Sequence, residues 1–207
     1  FAILLNEIRV KFFKKTVQTI VYLPHFLSWV VLAAVVVNMV NLDGAVNQLL
    51  QTIGLDKINF LGSNTWFRPM IIVTDVWKEF GYNSIVYLAA ITAIDPGLHE
   101  AASMDGANWW KRVWHITLPG MLPIILLMGA MNLTSILSAG FDQIYNLYSP
   151  MVYQSGDVLD TYVYRMGMIS RQYSFSTAVG LLRSVVGMVL MLAANGLAKK
   201  FTERSIF

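Results

Sequence analysis

The sequence predicts an all-α, polytopic transmembrane helical bundle, and three observations carry that reading. Of 207 residues, 56% are hydrophobic and only 13% are charged, a balance that suits lipid better than water as the solvent. Long runs with few charges recur at 17–40, 69–94, 119–141 and 174–198, each reaching the roughly 20 residues that cross a hydrocarbon core. Lysine and arginine, finally, gather in alternate connecting segments.

The elements follow in order. The opening 1–8, FAILLNEI, is apolar but too short to span, so it reads as the end of a helix. On that reading the chain is one transmembrane domain over 1–207, a fragment with N-terminal helices missing. Residues 17–40 hold no formal charge apart from His25 and form the next span, with Pro24 tolerable near its start because the first helical turns lack N–H partners anyway. The polar segment 41–64 offers Asp43, Gly44, Gly54, Asp56, Gly62 and Asn64 as turn material. The span 69–94 follows, then a loop over 95–118. The run 119–141, a tyrosine-rich loop to about 173, the span 174–198 and a short basic tail complete the chain.

Orientation comes from the basic residues. Arg9, Lys11, Lys14, Lys15, Lys111, Arg112, Lys199, Lys200 and Arg204 make about nine on one side, against about four (Lys57, Arg68, Arg165, Arg171) on the other. The loop 95–118 is therefore expected in the cytoplasm. The small net charge of +3 gives no reason to expect nucleic acid. Cysteine is absent, which excludes thiolate catalysis and cysteine-ligated zinc. His99-Glu100 lacks the second histidine of a zinc-protease helix, and no phosphate-binding Gly-x-x-x-x-Gly-Lys motif occurs. No catalytic residue and no metal site is assigned.

The loop is the informative stretch. Asp95-Pro96 signals a helix start, Asp accepting from exposed N–H groups while proline's fixed φ suits the first position. Leu98, Ala101, Ala102 and Asp105 then share one shallow face. Gly106 interrupts, as expected where the backbone needs a positive φ or a partner needs room. Beyond it Trp109, Trp110, Val113, Trp114 and Ile116 gather on one side, with Lys111, Arg112 and His115 opposite. Such a piece lies along a membrane surface, and Pro119 and Pro123 are expected to start and bend the following span.

Glu100-Ala101-Ala102, three residues, Gly106, nine residues, Ile116, one residue and Leu118-Pro119 together resemble the EAA loop of binding-protein-dependent ABC importer permeases, the type I or MetI-like kind. The resemblance implies a coupling helix at Glu100, Ala101, Ala102, Ser103, Met104, Asp105, Gly106 and Ala107 that docks on a separate cytoplasmic ABC ATPase dimer. ATP and Mg would then sit on that partner, with no cofactor in this chain. It also implies a second permease subunit, an extracytoplasmic solute-binding protein and a multi-pass place in the bacterial cytoplasmic membrane. NLDGAVNQLL, YLAAITAIDPGLHEAASMDGANWW, FDQIYNLYSPMVY, DTYVYRMG and YSFSTAVGLLRSVVG look like the oligosaccharide and polysaccharide permeases of the carbohydrate-uptake group. That likeness implies a sugar as substrate. A secondary transporter would instead call for an internal inverted repeat, which the sequence lacks.

Candidate pathway residues are Asp75, Lys78, Glu79, Tyr82, Asn83, Asn132 and Arg183. Three charges near mid-span would cost about 8 to 10 kcal/mol, so they cannot sit unpaired in lipid. Asp75 and Lys78 can pair at i, i+3, and Arg183 is a possible partner for Glu79. Two readings stay open. Either the span begins near Thr74 and leaves these charges at the outer interface with Trp77 and Tyr82, or carboxylates, Asn83 and Tyr82 line a cavity and bind sugar hydroxyls. Asn132 and Thr134 likewise suit an interhelical hydrogen bond or a substrate contact. Ser176, Gly180, Ser184 and Gly187 form a helix-packing stripe. The tyrosine-rich loop suits either docking of a binding protein or a folded cap.

Overall fold

The computed structural model describes residues 1–8, 10–135 and 140–202. Arg9, Arg204, the part 136–139 of the expected run 119–141 and the side chain of Thr134 lie outside the described residues. Every regular element among the described residues is helical. In chain order these are α1 (Ala2–Glu7), α2 (Lys11–Tyr22), α3 (Trp29–Val40), α4 (Ala45–Thr52), α5 (Asn64–Thr92), α6 (Pro96–Met104), α7 (Trp109–Arg112), α8 (Leu118–Ser135), α9 (Phe141–Leu147), α10 (Tyr153–Gly156), α11 (Leu159–Tyr164) and α12 (Tyr173–Thr202).

The chain divides into two compact units. One holds Phe1–Val21, Phe80–Ser135 and the chain from Gly187 onward; the other holds Tyr22–Glu79 and the segment that follows Ser135 up to Val186.

In the first unit Ala2, Ile91 and Met121 form the buried centre, flanked by Ile3, Tyr87, Ala90, Ile94 and Ile125. Gly81 lets α2 and α5 meet backbone to backbone, because a Cβ there would lie 2.3 Å from the Val21 carbonyl oxygen. In the second unit Ala33, Val36, Phe67, Met70, Leu147 and Val152 form the core. Fully buried Asn47 ties the 41–62 segment to it: its amide donates to the carbonyls of Asn41 at 2.8 Å and Ile58 at 3.0 Å and accepts from Ile58 N at 2.7 Å.

Three boundaries differ from the sequence reading. The expected span 17–40 is broken: α2 ends at Tyr22, a 3-10 turn covers Leu23–Phe26, and α3 begins after Ser28, whose hydroxyl accepts from Val31 N. Pro24 supplies no N–H and its ring crowds the preceding turn, so the ladder stops there and Ser28 caps a new helix. Pro119 does not start a helix. The chain coils from Trp109 through a π-helical turn at Val113–Thr117 into α8, and the widened turn accommodates the missing proline donor. Finally α5 is one 29-residue helix, about 43 Å long at 1.5 Å per residue.

By length and composition three helical stretches among the described residues can cross a membrane: Trp29–Thr52, Trp109–Gly129 and Tyr173–Ala193. The charges Asp75, Lys78 and Glu79 lower the hydropathy of α5, which is not among them. Side chains such as Leu181, Leu182, Val185, Val189 and Leu192 on α12 are largely exposed, a surface that suits lipid or another membrane helix.

Candidate functional site

The elbow between α5 and α8 is built by a chain of local hydrogen bonds. Asp95 caps α6, its carboxylate accepting from Gly97 N at 2.9 Å, with Pro96 in the first turn. At the other end Gly106 has φ +75°. Its N–H donates to the Ser103 carbonyl at 3.1 Å, and Ala107 N–H donates to the Ala102 carbonyl at 2.9 Å. That pair of bonds is the Schellman closure of a helix, which favours glycine at the left-handed position. Asn108 caps α7 through Lys111 N at 2.9 Å.

Arg112 then braces the two arms, donating to the Ser103 hydroxyl at 2.7 Å while that hydroxyl donates to the His99 carbonyl at 2.7 Å. The tip stays open. Glu100, Ala101, Ser103, Met104, Asp105 and Gly106 are exposed, Ala102 and Ala107 are half-buried, and Met104 retains 89% of its surface. A Cβ on Gly106 would meet nothing within 4 Å. Glu100 makes no hydrogen bond among the described residues. The expected coupling residues thus lie together on one hydrogen-bonded turn, most of them exposed. The Arg112–Ser103 brace carries no sequence signal, since nine residues separate the partners across a turn.

The pathway candidates fall in separate places. In the second unit Asp75 and Glu79 line a cleft of about 440 Å³ with Ile71, Ile72, Val76, Gly140 and Gln143. Sequence reasoning missed Gln143, which is 2% exposed and donates to the Ile71 carbonyl at 2.8 Å and the Thr74 hydroxyl at 2.9 Å. Asp75 makes no hydrogen bond or ion pair among the described residues.

Lys78 does not pair with Asp75. Its ammonium is buried and donates to the carbonyls of His25 at 2.7 Å, Leu27 at 2.9 Å and Pro24 at 3.4 Å. It thereby satisfies the groups that the broken helix frees. Glu79 finds His25, whose Nδ1 lies 2.9 Å from Oε2, and stands 3.8 Å from Lys78. Arg183 forms an ion pair with Asp160 instead of the expected pair with Glu79.

In the first unit Asn83 and Asn132 line a cleft of about 510 Å³ with Phe80, Tyr87, Met121 and Met128. Neither amide makes a hydrogen bond among the described residues, so the interhelical bond considered for Asn132 is not formed there. Tyr82 is exposed and lines neither cleft.

The tyrosine-rich loop folds upon itself. Arg165 grips Asp157 with two hydrogen bonds, at 2.9 and 2.6 Å, and stacks over Tyr153 at 4.3 Å. Burial alone would raise the Asp157 carboxyl, but the bonds from Arg165 and Thr161 and the Arg165 charge outweigh it and hold the group below its ordinary value.

Residues 1–203 match the family of binding-protein-dependent transport system inner membrane components. The chain belongs to this family. Among its relatives is the polygalacturonan/rhamnogalacturonan transport system permease protein YteP of Bacillus subtilis, 44% identical over 207 residues, all of this chain and 64% of the relative. Protein LplB of the same organism is 42% identical over 100% of this chain and 65% of its own length. The chain thus spans less than two thirds of the length of these curated relatives. A solved bacterial alginate ABC transporter, in complex with an alginate pentasaccharide-bound periplasmic protein, superposes with a TM-score of 0.95 at 44% identity. That match covers 99% of this chain and 71% of the solved one. The fold is therefore that of an ABC importer permease, and this family member is a membrane protein.

Proposed function

We propose that the protein is one permease subunit of an ATP-driven importer that moves an oligosaccharide or polysaccharide fragment delivered by a solute-binding protein. The observation that carries this reading is the Glu100–Ala107 surface: braced from within, open at its tip and set in a chain of the inner-membrane-component family. Such a surface transmits force only if another molecule grips it. The partner is a cytoplasmic ABC ATPase dimer, which holds ATP and Mg and closes on the elbow. A second permease subunit completes the membrane pathway.

The names of the relatives support sugar as cargo, and the clefts suit it chemically. Asp75 and Glu79 offer acceptors to sugar hydroxyls, while Asn83 and Asn132 offer both donors and acceptors beside the rings of Phe80 and Tyr87. Lys78 and Arg183, engaged inside the chain, serve to hold its shape. The test reconstitutes the full-length protein with its partner permease, ATPase and binding protein in proteoliposomes. ATP-dependent uptake of trigalacturonate, an alginate trisaccharide or maltotriose is the expected result; failure of all sugars, with uptake of an amino acid or peptide instead, would refute the sugar assignment.

A further inference from the structure

We infer that His25 is a positioning residue that ties occupancy of the Asp75–Glu79 cleft to the helix break at Leu23–Phe26. The inference rests on the substrate reading of that cleft. Its basis is that one carboxylate belongs to two structures at once. Glu79 lines the cleft, and the same side chain holds the imidazole of His25 at 2.9 Å and faces the Lys78 ammonium at 3.8 Å. His25 sits within the 3-10 turn, and Lys78 is bonded to three carbonyls of Pro24, His25 and Leu27. Its ammonium also stands 5.7 Å over the Trp29 ring at the start of α3.

The charged and titratable groups around the carboxylate are thus Asp75, Lys78 and His25. A carboxylate has about four lone-pair sites, and each hydroxyl that donates to it lowers what it offers its other partners. A polyhydroxylated ligand in the cleft finds Asp75 without a hydrogen bond and Glu79 already shared. Its arrival therefore weakens the grip of Glu79 on His25, and the broken segment is released from that anchor while Lys78 keeps its own bonds to it. By linkage, removing the His25 bond must alter the ligand's hold on the cleft by the same factor. His25 touches no ligand in this scheme; it acts through Glu79.

The experiment uses the full-length protein in its assembled transporter, with trigalacturonate-, alginate trisaccharide- and maltotriose-loaded binding protein as probes. The variants are His25→Phe, which removes the bond, and His25→Gln, whose amide can restore a donor to Glu79. Expected is a shift of roughly five- to tenfold in the loaded-receptor concentration that half-stimulates ATP hydrolysis in His25→Phe, with recovery in His25→Gln. The fluorine signal of 5-fluorotryptophan at position 29 should move when loaded receptor is added to the unmodified transporter and stay still in His25→Phe. An identical ligand response in His25→Phe and the parent overturns the inference. So does parallel loss of melting temperature and stimulation in both variants, which marks His25 as merely structural. If the parent itself shows no loaded-receptor stimulation, the proposed function falls, and this inference with it.

Discussion

The elbow and the charged middle of α5 use their polar side chains in opposite ways. Around Lys78 the polar groups are spent inside the chain: the residue is 6% exposed, and its ammonium is bonded to carbonyls more than fifty residues away in sequence. Around Glu100 the bonds that exist, those of Ser103 among them, hold the turn's shape, and the side chains of Glu100, Met104 and Asp105 make no hydrogen bond among the described residues. Buried charge without a partner costs several kcal/mol, so the α5 cluster must close on itself. An exposed loop faces no such demand, so its rigidity and its open face call for another explanation. A docking partner supplies one. The tyrosine-rich cap sides with α5, its Asp157–Arg165 pair closed within one loop.

The substitutions that sharpen this contrast run from large to small. Lys78→Met should be the most damaging, since it strands the carbonyls of His25 and Leu27, while that of Pro24 keeps its bond from Leu27 N, at about 1 to 3 kcal/mol for each buried unsatisfied group; the purified transporter should melt well below the parent, and an unchanged melting curve would break the comparison. Gly106→Trp should act on the other side of it. The left-handed backbone costs an ordinary residue about 1–2 kcal/mol, and a Cβ added there meets nothing within 4 Å. Insertion and melting should therefore change little while uptake falls at least about tenfold, the loss of one RT ln 10 step in coupling. Gly106→Asn, which tolerates the same φ, should retain most of the uptake.

Asp75→Asn removes an acceptor that no hydrogen bond or ion pair uses among the described residues. Sugar uptake should drop several-fold with assembly intact, and equal loss of both would place Asp75 among the structural groups.

Asp157 is expected to show itself only in acid. Its folded-state value lies below the ordinary carboxylate value, so the stability it contributes is present above about pH 4, the unfolded value. That contribution is lost as pH falls further, through the folded value. The protection of the 150–165 segment against hydrogen exchange, taken relative to the intrinsic rate at each pH, should therefore be flat from neutral pH down to about pH 5 and fall below about pH 4, and Asp157→Asn should abolish the fall. The smallest effect belongs to Ser103→Ala, which removes the exposed hydroxyl brace to Arg112 and should cost about 0.5–1.5 kcal/mol at most, read as a slight loss of coupling.

Much of the elbow was legible in the sequence because its signals are local. A capping Asp before Pro and a glycine where the helix closes each act on neighbours close in sequence; the Asn108 cap is equally local but was not singled out from the sequence. The break at Leu23–Phe26 was not legible. Pro24 near the start of an apolar run fits a first-turn proline equally well, and what decides the matter is Lys78, contributed by a different helix. The same distance in sequence hid the partners of Lys78, for which spacing along one helix suggested Asp75, and those of Glu79 and Arg183, which the sequence reading paired with each other across two spans. The π-helical turn before Pro119 escaped for a related reason: proline at the head of an apolar run reads as a start, and only the preceding coil shows that the helix is already under way. Asn83 was expected beside the α5 carboxylates, and Asn132 was chosen as a polar residue in an apolar span; that these two line one cleft, apart from Asp75 and Glu79, is a fact of packing that residue spacing does not encode.

The central claim is that the idle face of the elbow belongs to an ATPase. The chain has no cysteine, so single cysteines at Ala101, Met104 and Ala107 can be cross-linked in the assembled transporter against single cysteines across the ATPase surface. The account predicts efficient cross-links from Ala101 and Met104 to one groove of the ATPase, with yields that change when ATP is bound. Absence of any cross-link from all three positions, while uptake remains ATP-dependent, would contradict it.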